Sequence, residues 1–214
     1  MITDGPRLIR AAYTSQTITV YQAYPPEIAD PAVRAGTFVA PFNRDRMTWI
    51  KPSFGWMMHR SGWGHKPGQE RILAIEISRT GFEWALGQSC LSHYSPSAYD
   101  SRQAWSAAKT SSPVRVQWDP DRALTGEPLA RRAIQIGLSG SAVERYVTDW
   151  IRSVSDITAH VHSLEKLVRS GHADSAARQL PAELIYPLEP ALARWIGADP
   201  RDRLPQVPAP ESER

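Results

Sequence analysis

Cysteine is almost absent from this sequence: Cys90 is the one cysteine among 214 residues. A single thiol cannot form an intramolecular disulfide, and it cannot supply the paired cysteines of a CxxC zinc site. Apolar residues at 42% and charged residues at 22% are close to the averages of globular proteins. We therefore expect a chain that folds around an ordinary apolar core and needs neither a disulfide nor a structural metal.

Long apolar segments are missing as well. No run approaches the ~18 apolar residues that a membrane-spanning helix requires. Residues 1–7 lack the apolar stretch of a secretory signal peptide. The expectation is a cytoplasmic protein that does not associate with membranes.

Lysine is scarce, with four residues against 21 arginines, and the net charge is +3. The planar guanidinium of arginine suits phosphate and carboxylate groups. A GC-rich genome favours arginine codons and is the simpler explanation of the overall ratio. The charge balance is therefore weak evidence for a polyanionic partner.

Several catalytic and ligand-binding signatures do not occur. The sequence has no HExxH or GxSxG motif. It also lacks a glycine-rich phosphate turn between a strand and a helix, which argues against the Rossmann and P-loop classes. The pairs His59/His65 and His160/His162 do not have the spacing of two ligands on one helix face, so we expect no metal.

The periodicity of the apolar residues predicts an α+β fold with a mixed, mainly antiparallel sheet, flanking helices and a helical C-terminal annex. We expect an N-terminal arm at 1–16, an α+β core at 17–155, a helical annex of the same domain at 156–198, and a disordered Pro-rich tail at 199–214. Strands are predicted at 17–24, 47–51, 71–77, 114–118 and 133–138, and helices at 27–35, 52–60, 79–86, 101–109 and 142–154, followed by a helical hairpin that turns at Gly171.

Cations and aromatic side chains alternate between residues 44 and 71, where six Lys and Arg residues face two acidic ones. Such interleaving suits a ligand with phosphates and flat rings, such as a nucleotide, a dinucleotide or a nucleic-acid strand. The alternative is that the aromatic residues are core and the cations form a solvated face. On the first interpretation this segment lines the main concave pocket, with the binding residues Arg46, Trp49, Lys51, Trp56 and Arg60.

The end of the first strand offers a second group of candidates, Tyr21, Gln22 and Tyr24. Alternation along a strand points Gln22 and Tyr24 to one face and Tyr21 to the other. Packing of the tyrosines at a sheet edge is an equally good explanation. Since strands joined by one short helix are usually neighbours, we expect Gln22 or Tyr24 near Arg46, Thr48 or Lys51.

Three polar residues interrupt apolar strands: Glu76, Gln117 and Gln135. A buried glutamine that lacks hydrogen-bond partners costs ~1–3 kcal/mol, so each either faces a cleft or is bonded within the sheet. Glu76 is the one carboxylate of the three and the candidate catalytic acid. The alternative places Glu76 on the solvent face of an alternating strand.

Six segments form a long and Trp-rich set of motifs that extends over roughly residues 7–188. They are VYQAY at 20–24, RDRMTWIKPSF at 44–54, RSGW at 60–63, PGQER at 67–71, VRVQWDP at 114–120 and IQIGL at 134–138. Together they resemble DUF4291, a family of unknown function. The resemblance brings no assigned activity.

A more remote similarity is to the ADP-ribosyltransferase superfamily. In that superfamily a first strand with an NAD-contacting polar residue precedes a helix that ends in Gly and an aromatic residue, which resembles Tyr21-Gln22, Gly36 and Phe38. A second strand then carries a hydroxyl residue and leads into a helix, as Thr48 and Ser53 do here. A later strand carries Glu in that superfamily.

The superfamily resemblance implies that NAD is a substrate and lies across the sheet cleft. Arg46 or Lys51 would then lie near its phosphates, and a Trp or Tyr would stack on nicotinamide. Glu76 or Gln135 would occupy the catalytic position, although a glutamine stands on the late strand where the superfamily has Glu. The first strand also lacks the usual Arg or His.

Three functions stay open at this point. The first is an NAD-dependent transferase of ADP-ribosyltransferase type whose acceptor is a nucleic acid. The second is a non-catalytic module that binds a nucleotide or single-stranded nucleic acid. The third is a structural or interaction protein that uses the helical annex, and the cluster at 44–71 favours the first two.

Overall fold

The computed structural model describes residues 5–96 and 98–199. The strands are β1 (Arg10–Ala11), β2 (Thr17–Tyr24), β3 (Thr48–Ile50), β4 (Arg71–Ser78), β5 (Ser89–Leu91), β6 (Val114–Arg122), β7 (Pro128–Leu138), β8 (Ile151–Asp156) and β9 (Leu184–Ile185). The helices are α1 (Pro26–Ala35), α2 (Phe54–Ser61), α3 (Arg79–Gly87), α4 (Arg102–Ser111), α5 (Ser141–Arg145), α6 (Thr158–Arg169), α7 (Ala173–Ala177) and α8 (Pro190–Trp195), and a π-helical turn spans Tyr146–Trp150.

Two sheets carry the fold. Strands β2, β4 and β8 form an antiparallel sheet in the order β2-β4-β8, and a second sheet has the order β3-β7-β6-β5. Within the second sheet only the β5–β6 pair is parallel. The predicted α+β fold with a mainly antiparallel sheet is therefore confirmed. The sheets meet where the Tyr21 backbone N–H donates to the Lys51 carbonyl at 2.7 Å.

The main core consists of the inward side chains of both sheets. Ile18 and Val20 of β2 share one apolar cluster with Ile136 of β7, and all three are fully buried. The opposite face of the β2–β4 sheet has a smaller cluster, to which Met57 of α2 and Val161 of α6 belong. Alternation in the strands thus gives each side of this sheet its own layer of helices.

Helices α1 and α2 begin and end at the residues that the sequence marks. Pro26 stands in the first turn of α1, and Gly36 ends the helix with a positive φ of 70°. Ser53 caps α2 because its Oγ accepts a hydrogen bond from the Trp56 N–H at 3.3 Å. These two helices hold β2 and β3 at their relative positions.

The predicted helix at 142–154 is wrong from Ile151 onward. Helix α5 ends at Arg145, the π-helical turn follows, and Ile151–Asp156 pairs antiparallel with β4 as β8. Strand β4 would otherwise leave a row of unpaired backbone groups at its second edge. That long-range pairing outweighs the local helical pattern.

The strand that we expected at 114–118 continues through Pro120. Strand β6 continues to Arg122, and its register against β7 shifts between Pro120 and Arg122. A bulge is one of the few places where a sheet tolerates proline, since no ladder hydrogen bond is needed there. The extension carries Asp121 into the interior, where it is 2% exposed.

The N-terminal segment is not the loose arm that its composition suggested. Leu8, Ile9 and Ala11 are buried, and β1 pairs with β9 near the other end of the described chain. The helical hairpin was predicted correctly, since α6 and α7 are joined through Gly171 at φ 83°. The predicted tail lies outside the described residues except for Asp199.

Residues 5–96 and 98–199 contain no helix that is long and apolar enough to cross a membrane.

Candidate functional site

Gln22 is the centre of a buried polar network between the two sheets. Its Nε2 lies 2.6 Å from Thr48 Oγ1, 3.0 Å from the Tyr24 hydroxyl and 3.1 Å from the Trp49 carbonyl oxygen. The hydroxyl of Tyr146 donates to Gln22 Oε1 at 2.7 Å. The structure therefore brings together Gln22, Tyr24 and Thr48, three of the candidates from the sequence.

Burial fixes the protonation of this network. Gln22 is 2% exposed and Tyr146 is fully buried. Burial raises the pKa of Tyr24 to about 12 against the opposing effect of hydrogen bonds from Thr48 and Gln22 and of the Arg46 charge. Burial also raises the pKa of Tyr146 well above its ordinary value. Both phenols are neutral donors at physiological pH.

A cavity of about 370 Å³ opens beside Tyr24 and Thr48. Phe42, Asn43 and Arg46 are among the residues that line it. Arg46 is exposed and makes no hydrogen bond or ion pair with any residue that the structure describes. The cavity thus combines an aromatic wall, neutral hydrogen-bonding groups and one free guanidinium.

Trp49 and Lys51 lie on the opposite face of β3 from Thr48, as alternation requires. The indole of Trp49 covers Gly137 of β7 so closely that a Cβ there would lie 3.0 Å from the ring. Lys51 is 8% exposed, donates to the Trp49 carbonyl at 2.8 Å and lies 5.8 Å from the Trp56 ring centroid. Neither Trp49 nor Lys51 lines the cavity at Arg46.

Lys51 is not the cleft cation that the sequence suggested. Burial, together with the nearby charge of Arg60, lowers the pKa of Lys51 to about 7, and Asp119 only partly opposes this. The amine is therefore partly neutral at physiological pH and supplies little positive potential. Arg60 is exposed on α2, and Trp56 is 7% exposed in the interior.

Gln135 does not reach the Gln22 network. Its Nε2 donates to Asp119 Oδ2 at 2.6 Å, and Gln117, directly across the β6–β7 ladder, donates to Asp119 Oδ1 at 2.9 Å. Gln135 and Gln117 therefore donate their hydrogen bonds to the same carboxylate, that of Asp119. This was one of the two outcomes that the sequence left open.

Glu76 also lies away from the Gln22 network, on the outer face of β4. Its carboxylate accepts a hydrogen bond from Ser153 at 2.8 Å, and its side chain is exposed. With Tyr21 it lines a second cavity of about 490 Å³ between the β2-β4-β8 sheet and the segment around Leu180. The phenol of Tyr21 has a raised pKa because of its burial and the nearby Glu183 carboxylate.

The remaining candidate, Ser53, faces a third cavity of about 550 Å³. Its Oγ donates to Asp121 Oδ1 at 2.8 Å. This cavity and the one at Glu76 are the larger of the three, and Arg46, Lys51 and Arg60 line neither. These two larger cavities therefore lack the cation lining that we expected of the main pocket, and Arg46 lines the smaller cavity beside Tyr24.

Sequence reasoning missed Tyr146, Phe42 and Asn43. Tyr146 stands in the segment that we assigned to a long helix, so nothing marked it as a partner of Gln22. Phe42 stands two residues and Asn43 one residue before the charged run that begins at Arg44. An aromatic residue followed by Asn at the start of a cationic loop was the signal available.

The family model described as "Domain of unknown function (DUF4291)" matches residues 8–186. No curated protein and no solved structure matches the chain.

Proposed function

Since the chain belongs to the DUF4291 family, whose description names no activity, we propose from its geometry that it binds a nucleotide in the cavity beside Tyr24, Thr48 and Arg46. The observation that carries this proposal is the hydrogen-bonded contact of Gln22 and Tyr24 with Thr48 at the mouth of that cavity. The network fixes two hydroxyl groups before any ligand arrives. Preorganised polar groups reduce the entropic cost of binding.

The composition of the cavity wall supports a nucleotide over other small molecules. A volume of about 370 Å³ is within the range of ligand pockets. The ring of Phe42 offers a flat surface for a base, and the amide of Asn43 can bond to its edge. Arg46 has its guanidinium free for a phosphate group.

NAD-dependent transfer is the second candidate function. It is supported by the order of β2, α1, Gly36, Phe38, β3 and α2, which follows the arrangement of the ADP-ribosyltransferase superfamily. No carboxylate lines the cavity at Tyr24 among the described residues, since Glu76 faces the other side of the sheet. Nucleotide binding without transfer is therefore the function that the geometry supports better.

A thermal-shift and calorimetric comparison of NAD, ATP, ADP-ribose and a short oligonucleotide tests the proposal. The Arg46→Ala variant should bind the preferred nucleotide at least tenfold more weakly, because a charge-assisted hydrogen bond contributes ~1.5–3 kcal/mol. Arg44→Ala is the matched control, since Arg44 is equally exposed but paired with Glu144 at 2.8 Å.

Equal affinities of both variants, or no nucleotide bound by the wild type, would contradict the proposal. Release of nicotinamide from NAD is measured in the same samples. Release would show that NAD is cleaved at its nicotinamide bond, as a transferase requires, whereas binding without release would leave a binding module. Stabilisation by the oligonucleotide alone would point to single-stranded nucleic acid as the ligand.

A further inference from the structure

Charged side chains from four distant parts of the chain converge at the start of α2. Asp121 is 2% exposed and is held by Ser53 Oγ at 2.8 Å and by Arg131 Nε at 2.7 Å. Glu183 approaches from the segment before β9, and its Oε1 accepts the Phe54 backbone N–H at 2.7 Å. The two carboxylates are close enough to interact electrostatically, and Glu183 lines the 550 Å³ cavity.

The two carboxylates have different surroundings. Asp121 has three close partners: the guanidinium of Arg131, the Ser53 hydroxyl and the Arg122 backbone N–H, which donates to Oδ1 at 2.9 Å. Burial and the charge of Asp121 raise the pKa of Glu183 to about 7 against the opposing Phe54 N–H and the charges of Arg10 and Arg131. The groups that face Glu183 are Asp121 on β6, Arg131 on β7, Arg10 on β1, Tyr21 on β2 and the Phe54 N–H on α2.

The cavity above these carboxylates is rich in arginine. Arg10, Arg122, Arg131 and Arg178 all line it. Arg131 is paired with Asp121. Arg10 donates to the backbone oxygen of Glu183. The positive charges of Arg122 and Arg178 are left without an ion pair among the described residues.

The free donors of these two arginines remain available. Arg122 donates one Nη1 hydrogen bond to the Gly126 carbonyl at 3.2 Å, while its buried Nε has no partner in the described part of the chain. Arg178 donates to Ser175 Oγ at 2.9 Å. Buried donors that are left unsatisfied cost free energy, which a ligand with acceptor oxygens would recover.

We propose that this cavity is an anion site that takes the phosphate group of a small phosphorylated molecule between Arg122 and Arg178, and that binding requires protonation of Glu183. An ionised Glu183 would repel the ligand, whereas the protonated carboxyl can donate a hydrogen bond to it. The site shares no lining residue with the cavity beside Tyr24. It is therefore a second site, independent of the nucleotide cavity.

Structural ion pairing alone does not explain the arrangement. The Asp121–Arg131 pair is complete without Arg122 or Arg178. The hydrogen bond between Glu183 and the Phe54 N–H likewise needs neither Arg122 nor Arg178. A volume of about 550 Å³ suits a small molecule.

Sulfate is the probe that separates the protein's titration from the ligand's, because it stays a dianion near neutral pH. Calorimetry at about pH 6 and about pH 8 should show about tenfold tighter sulfate binding at the lower pH, since the protonated fraction of a group with this pKa falls about tenfold. Glu183→Gln should remove this difference. Glycerol phosphate should compete with sulfate, whereas a short oligonucleotide should not.

Arg178→Gln should weaken sulfate binding at both pH values, and Arg122→Gln should do the same. Arg152→Gln is the matched control, because Arg152 is likewise exposed and bonds to a residue three positions earlier, the Asp149 carbonyl, at 2.9 Å. Arg46→Ala should bind sulfate like the wild type, because Arg46 does not line this cavity. The sulfate experiment therefore tests the anion site separately from the nucleotide site. Wild-type affinity in Arg178→Gln, or pH-independent sulfate binding by the wild type, would overturn the proposal.

Discussion

Removal of the Gln22–Tyr146 hydrogen bond offers a quantitative test of the buried network. Tyr146 is fully buried and donates to Gln22 Oε1 at 2.7 Å. In the Gln22→Met variant the side chain keeps its length but loses its amide. Thr48 keeps its hydrogen bond with the Tyr24 hydroxyl at 2.6 Å, and the Trp49 carbonyl keeps the hydrogen bond from Lys51 at 2.8 Å. The Tyr146 hydroxyl is then the one member of the network without a partner.

The expected loss of stability follows from this one unsatisfied hydroxyl. An unsatisfied buried donor costs ~1–3 kcal/mol, and the lost hydrogen bonds to Thr48 and Trp49 add about 1 kcal/mol. Gln22→Met should therefore lower the free energy of unfolding by about 2–4 kcal/mol. Tyr146→Phe leaves Gln22 Oε1 unpaired and should cost ~1–3 kcal/mol. The double variant leaves neither group unpaired, so its loss should be only about 1 kcal/mol, which is about 2–6 kcal/mol smaller than the sum of the single losses.

Urea unfolding of the four proteins, followed by circular dichroism, measures this coupling. Gln22→Met combined with Tyr99→Phe is the control pair, because the Tyr99 hydroxyl bonds to the Leu91 N–H instead and lies outside the network. The control pair should be additive. If Gln22→Met and Tyr146→Phe are additive within ~0.5 kcal/mol, the two side chains do not depend on each other and the network is not as described.

Two further predictions concern stability. Lys51 has a folded-state pKa near 7, below its unfolded value, so the unfolded chain binds more protons above that pH and stability should rise with pH. Lys51→Met should remove this rise, by up to about 1.4 kcal/mol per pH unit, when unfolding is measured from about pH 7 to 9.5 in both proteins; an unchanged slope would refute the lowered pKa. Gly81→Ala should cost at least ~2 kcal/mol because its Cβ would lie 2.3 Å from the Trp150 ring, whereas Gly87→Ala, with open space in the same helix, should be neutral or stabilising. Equal urea midpoints for the two alanine variants would contradict that packing.

The sequence predicts most elements that have a clear local pattern. Strands β2 and β4 are rich in β-branched and other apolar residues, and both were expected with bounds within one residue. Helix α2 was expected from the proline and serine before it. Its observed start is two residues later because Ser53 is the cap and not the first turn.

Elements that depend on distant partners could not be predicted in this way. Strand β8 has a short pattern that also fits a helix, and its pairing with β4 decides the outcome. The three residues of β5 carry no recognisable pattern and form a strand because β6 lies beside them. Burial of the segment around Ile9 likewise requires β9, which is more than 170 positions away in the chain.

The contact between Gln22 and Thr48 was predictable because it needs only the short connection between β2 and β3. The cavity wall was predicted in part, through Tyr24, Thr48 and Arg46. Tyr146 was not, because its position depends on the π-helical turn. The centre at Asp121 and Glu183 was missed altogether, since a proline in β6 concealed the strand that carries Asp121.

Alternation along β3 separates side chains that the sequence places together. Thr48 points towards Gln22, whereas Trp49 and Lys51 lie on the face of Gly137 and Trp56. A residue-by-residue count of cations and aromatic rings between 44 and 71 cannot detect this, because neighbours in a strand belong to opposite faces. A Lys51 variant therefore reports on the buried charge beneath α2 and not on the nucleotide cavity. Arg46, which precedes the strand and has a free guanidinium beside Tyr24, is the cation whose loss separates ligand binding from folding.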